Sequence, residues 1–272
     1  MKTYIVSTHF NNIDYIKLQH KSIKTFFKCE YEYIVFNDAK NYGDYTNNYN
    51  KNMRSVIENT CNNLNIKCIN VPYNNIKGTP AKRCANAVQS AYNYCIDFKD
   101  GYLMIIDSDM FFIKNFNIED YMKDYNMAGV FQNRNRVDLY LWNGLFIMDM
   151  TKLSNLQEFN WDCGTVNGSS VDVGGHNYWY LKKYREYIKL KQIDISHYTY
   201  SNTIKKSNLD NGLKNMLLEC CTFRDDGSAN KEILMDNCVF HIRGGGLWDG
   251  RTIKYYNNCL NVFIKYFNSK IE

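Results

Sequence analysis

A chain of 272 residues, 45% of them hydrophobic, is long enough to bury a substantial core without disulfides or structural metals. Its formal charge of +5 comes from 33 basic and 28 acidic residues that are interspersed, which gives no case for nucleic acid, and no apolar run reaches the ~18 residues of a membrane span. Ten cysteines without a C-x-x-C pair, behind an N-terminus that reads directly as a strand, favour reduced and mostly buried thiols in a cytoplasmic protein over a disulfide framework or a zinc module.

"TYIVST" (3–8) is a short β-rich apolar run. A helical pattern follows from Tyr15 to Phe27, and "YEYIVFNDA" (31–39) is a second strand ending in Asn37-Asp38. Residues 40–52 read as a loop, 55–66 as a weaker helix, and "KCINVPY" (67–73) as a third strand stopped by Pro72. Thr79 can cap the next helix and Pro80 suits its first turn. Cys84, Val88, Ala91, Cys95 and Phe98 recur there at helical spacing, which leaves Arg83, Asn86 and Gln89 off the apolar stripe. "GYLMII" (101–106) is apolar on both faces, as in a central parallel strand. This alternation predicts an α/β fold with a Rossmann-like, mostly parallel central sheet flanked by helices.

Beyond residue 110 the rhythm changes. Strands are expected at 127–132 and 139–150, and a helix running to 188 after the Gly174-Gly175 turn. A short strand at "CVFHI" precedes a glycine-rich loop. Near the C-terminus Ile253, Tyr256, Leu260, Phe263 and Phe267 share one helix face, which predicts packing on the core. The expected organisation is one domain over 1–272, with an α/β part (1–110) and a smaller mixed region (111–272).

The segment "GYLMIIDSDMFFIKNF" (101–116) sets Asp107 and Asp109 between apolar flanks. Carboxylates in such surroundings are costly unless they hold a positive partner. In an extended segment residues i and i+2 point the same way, so both can approach one cation. Oxygen donors of this kind suit Mg²⁺ or Mn²⁺ together with substrate phosphates. In an open α/β sheet, ligands bind beyond the carboxyl ends of the strands, where Thr8 and Asp38 also fall.

This segment resembles the Asp-x-Asp region of nucleotide-sugar glycosyltransferases with the GT-A fold. In them the strand delivers two aspartates to a divalent metal on the donor diphosphate. The helix "TPAKRCANAVQSAYNYC" lies where that family places a basic residue that reaches the donor, here Arg83. "WNGLFIMDM" is similar to the family's acceptor-side strand and brings Asn143 to the pocket. "HIRGGGLW" resembles the late His-x-x-Gly motif of glycogenin-like transferases, which makes His241 the third metal ligand, and an imidazole ligand favours Mn²⁺ over Mg²⁺. That motif lacks the family's Lys-Pro before the tryptophan, so an inverting and a retaining course both stay open.

The resemblance implies donor contacts from Thr8, Asp38, Arg83, Asp107, Ser108, Asn143, Gly244 and Trp248, and metal ligation by Asp107, Asp109 and His241. Asp38 can meet the ribose or base, or simply begin a turn. Arg243 can contact phosphate in the glycine-rich loop, and His9 can line the base pocket. Asp172, before Gly174-Gly175, is the candidate base or acceptor contact, with Asp149 and Asp162 as lesser alternatives. The expected reaction moves a sugar from a nucleoside diphosphate sugar, by resemblance a UDP-sugar, to a hydroxyl acceptor on a glycan, protein or lipid. Two other functions compete. A catalytically silent glycan- or nucleotide-binding protein would keep the same fold. A sugar-phosphate nucleotidyltransferase would need a glycine-rich loop after the first strand, and "VSTHFNNID" has none.

Overall fold

The computed structural model describes residues 1–39, 52–72, 79–244 and 253–271. Residues 40–51 of the loop expected over 40–52, and Trp248, lie outside them. Strands β1 (Thr3–His9), β2 (Tyr31–Asn37), β3 (Lys67–Asn70) and β4 (Tyr102–Ile106) run parallel in the order β3-β2-β1-β4. Between them lie helices α1 (Ile13–Phe26), α2 (Met53–Asn63) and α3 (Pro80–Ile96). The pleat explains why β4 is apolar throughout. Tyr102, Met104 and Ile106 pack with Ile16, Ile23 and Ile57 of α1 and α2, while Leu103 and Ile105 face Ala87, Val88 and Ala91 of α3. Thr79 Oγ1 accepts the Lys82 amide and Pro80 occupies the first turn of α3, as the capping pattern predicts.

After β4 come β5 (Met110–Phe112), α4 (Ile118–Tyr121), β6 (Met127–Arg134) and β7 (Val137–Asp149). A hairpin of β8 (Gly164–Val166) and β9 (Ser169–Val171) leads to α5 (Tyr178–Lys183), β10 (Leu190–Gln192) and β11 (Ile195–Tyr200). Helices α6 (Ser201–Lys206) and α7 (Asn211–Cys221), strands β12 (Ser228–Leu234) and β13 (Val239–His241), and α8 (Ile253–Ile271) complete the described chain. The central sheet has the order β10-β6-β7-β4-β1-β2-β3, and β7 is antiparallel to both β4 and β6. β4 therefore has one parallel and one antiparallel neighbour, not two parallel ones. A second sheet, β11-β12-β13-β5, is antiparallel. The mostly parallel, helix-flanked sheet with a smaller mixed region matches the expected fold class.

The helix expected to run to 188 is broken. A 3₁₀ turn at Gly175–Asn177 precedes α5, and a second one at Arg185–Tyr187 follows it. Asn177 explains the first break, because its side chain accepts from the Leu141 amide and donates to the Leu141 carbonyl, tying this turn to β7. Leu260, Phe263 and Phe267 of α8 are buried against α7 and the small sheet, with Tyr256 half-buried beside them, while the Ile253 side chain lies outside the description. All ten cysteines are free thiols. No helix among the described residues is long and apolar enough to cross a membrane.

Candidate active site

The carboxyl ends of β1, β2 and β4 open onto a cavity of about 610 Å³. Its sheet side carries Thr8 and His9, Asp38, and the Asp107-Ser108-Asp109 segment, and α3 contributes Arg83 and Cys84. The opposite wall is made by Val130, Gln132 and Arg134 of β6, Trp142 of β7, Ile195 and His197 of β11, and Glu232 of β12. Val130, Gln132 and Arg134 alternate along one strand, so the pleat turns all three to the same side.

Asp107 and Asp109 do not sit on an extended strand, as the i, i+2 argument assumed. They lie in a turn in which the Met110 amide donates to the Asp107 carbonyl at 3.1 Å. Gln19 of α1 holds this turn from below. Its Nε2 donates to the carbonyls of Asp107 and Met110, both at 2.8 Å, and its Oε1 accepts the Tyr33 hydroxyl at 2.6 Å. His9 joins the same buried network, with Nε2 2.9 Å from Ser7 Oγ and 3.2 Å from Gln19 Oε1. Burial pushes the His9 imidazole down to about 4, so it is neutral at physiological pH.

Strand register supplies the third group. β5 pairs with β13 so that Met110 lies opposite His241, and the Ile242 amide donates to the Asp109 carbonyl at 2.9 Å. His241 Nε2 then stands 3.3 Å from Asp109 Oδ1. One ligand atom each from Asp107, Asp109 and His241 lies within 4.8 Å of the others. The charges in this cluster shift one another. Burial and then the Asp109 charge push the Asp107 carboxyl up to about 7. Burial alone would lower the His241 imidazolium, but Asp109 and then Glu232 outweigh it and hold it at about 10. A half-buried and a buried carboxylate with a buried imidazole form a donor set that fits a divalent cation, which would serve as their positive partner.

The remaining sequence candidates take varied places. Thr8, Asp38, Arg83, Ser108 and Gly244 line the cavity. Gly244 has φ +80°, and a Cβ there would meet the Tyr256 hydroxyl at 2.5 Å. Asn143 is buried in an adjoining recess, with Nδ2 3.7 Å from Cys84 Sγ. Asp172 is exposed, borders both the cavity and the recess, and accepts the Val173 amide at 2.8 Å. Asp149 is fully buried at the far end of β7, opposite Tyr102, with Lys152 at 2.8 Å, and so lies away from the cavity. Asp162 is held by Lys82 at 2.5 Å and does not border the cavity.

Sequence reasoning missed Gln19, Glu232, Trp142 and His197. Glu232 carried the same signal as the aspartates, a carboxylate directly before the apolar run Ile233-Leu234-Met235. Its Oε2 is 2.7 Å from His241 Nδ1, and the Trp142 ring packs 5.8 Å from the His241 ring.

No protein-family model and no curated protein matches the chain by sequence. The chain is similar to a mannosyltransferase. That structure is PcManGT of Pyrobaculum calidifontis in complex with GDP-Man and Mn²⁺, with 12% identity over 70% of this chain and a TM-score of 0.45. The match spans 54% of that enzyme, so this chain corresponds to about half its length. A second similar structure is S. aureus TarS 1-349, with 14% identity over 80% of this chain and 70% of that one, and a TM-score of 0.41.

Proposed function

We propose that the protein is a divalent-metal-dependent glycosyltransferase that moves a sugar from a nucleoside diphosphate sugar to a hydroxyl acceptor. The observation that carries this reading is the convergence of Asp107, Asp109 and His241 at the carboxyl edge of the parallel strands, in a cavity large enough for a nucleotide sugar. A cation held by Asp107, Asp109 and His241 would supply Lewis-acid stabilisation of the departing diphosphate, and the imidazole in the donor set favours Mn²⁺ over Mg²⁺.

The chain's own residues divide the remaining work. Thr8 and Asp38 border the part of the cavity that suits the nucleoside, with Ser108 and Gly244 facing the diphosphate and Asn143 behind them. Arg83 offers a guanidinium to the oxygens on which negative charge accumulates as the anomeric C–O bond breaks. In an inverting course Asp172 takes the proton of the acceptor hydroxyl as its oxygen bonds to the anomeric carbon, and the diphosphate leaves with the electron pair of the broken bond. In a retaining course the same carboxylate positions the acceptor. In this scheme 1–110 is the donor half and 111–272 the acceptor half of one domain, with Asn143, His241 and Gly244 reaching the donor from the latter; the motif resemblance implies a UDP-sugar, and the cysteine pattern a cytoplasmic setting.

A screen of UDP- and GDP-sugars with Mn²⁺ or Mg²⁺ tests the reading. The expected result is metal-dependent slow hydrolysis of one donor, abolished in Asp109→Ala, with the product anomer assigned by NMR. Binding of nucleotide sugars without any turnover, with or without acceptor glycans, would instead identify a binding protein of the same fold.

A further inference from the structure

Glu232 on β12 pairs directly with His241 on β13, so both side chains project from the same face of the small sheet. Both are nearly fully buried, at 5% and 4% exposure. Glu232 Oε2 lies 2.7 Å from His241 Nδ1, and the other ring nitrogen, Nε2, faces Asp109. A carboxylate only accepts, so the contact requires a proton on Nδ1. The second oxygen, Oε1, is held by His197 Nδ1 at 3.0 Å and by the Arg243 guanidinium at 3.5 Å. These two partners come from β11 and from the segment after β13, so the carboxylate is fixed from three directions.

We propose that Glu232 is the positioning residue of the cation site: it keeps the proton of His241 on Nδ1 and so presents Nε2 to the metal. The inference rests on the metal-binding part of the proposed function and does not depend on which substrate is used. With the Nδ1 proton shared with Glu232, the Nε2 lone pair would be the one available to a cation. The carboxylate also raises the basicity of the imidazole, which strengthens its bond to the metal. Asp107 and Asp109 alone would leave a two-oxygen site open to many cations. Glu232 makes the nitrogen a permanent member of the donor set.

Two measurements on the full chain, made without nucleotide sugar, test this. In the first, Mn²⁺ is titrated calorimetrically into metal-free wild type and Glu232→Gln. The variant is expected to bind about 10–100-fold more weakly while its metal-free circular dichroism is retained. Equal affinities would overturn the proposal and leave Glu232 as a structural partner of His197 and Arg243. In the second, ¹⁵N NMR of Mg²⁺-loaded wild type should show His241 protonated at Nδ1 and bare at Nε2. The opposite tautomer, or a wild type that binds neither cation, would overturn it without relying on any variant. Absence of sugar transfer together with the expected Mn²⁺ difference would count against the glycosyltransferase reading alone.

Discussion

The aspartates that hold the candidate cation site are themselves held by a residue with no donor to offer a metal. Gln19 uses both amide hydrogens on the carbonyls that bracket the Asp107–Met110 turn, and its own oxygen is taken by Tyr33. Fully buried, it has no water to fall back on. Gln19→Met keeps the volume but removes one donor from each carbonyl and the Oε1 acceptor from the Tyr33 hydroxyl, at a cost of about 2–4 kcal/mol. The expected outcome is a lower urea midpoint together with weaker Mn²⁺ binding in calorimetry. Loss of stability with unchanged Mn²⁺ affinity would show that the turn keeps its shape unaided. At this scale the sequence made the ligands legible and the clamp invisible. Asp107 and Asp109 stand out against Ile106 and Phe111, whereas Gln19 lies in an unremarkable amphipathic helix, 88 residues from one of its two acceptors.

Among the elements, β13 joins the core to the site. Its three residues alternate, so Phe240 turns toward α8 and His241 toward Asp109. The Phe240 ring stacks on Phe263 of α8 at 4.5 Å and 17°, and Phe263 also meets Phe111 of β5 at 5.2 Å. Phe263→Ala removes the ring that presses both strands of the ligand-bearing pair and should cost about 3–5 kcal/mol. Urea denaturation followed by tryptophan fluorescence would read it, and a cost under about 1 kcal/mol would mean that the site collapses around the loss. Elements with strong local signals were legible from sequence: the capped helix α3, the doubly apolar β4, and the amphipathic α8. The antiparallel insertion of β7 between β4 and β6 was not, because strand direction is set by long-range pairing that leaves no periodic mark. The broken helix after Gly175 was misread for a similar reason, since a distant partner, β7, captures Asn177.

In the whole molecule, the three candidate ligands belong to two sheets. Asp107 and Asp109 follow β4 of the central sheet, and His241 ends β13 of the smaller one. A cation that binds all three is present only when both sheets are formed, so it favours the folded chain by mass action. At a free concentration 100 times its dissociation constant the gain is about 2.7 kcal/mol. Scanning calorimetry should therefore show a Tm that rises by several degrees with Mn²⁺, returns on addition of EDTA, and does not respond in Asp109→Ala. An identical Tm with and without Mn²⁺ would rule out a bridging ion. The grip of Gln19 on carbonyl oxygens has one more consequence. A socket built from main-chain contacts does not depend on the fittings it carries. Exchanging the carboxylate at 107 or 109 for a softer donor would therefore retune which ion is preferred while the socket stays as it is, and adaptation to another metal becomes a change of one side chain instead of a change of fold.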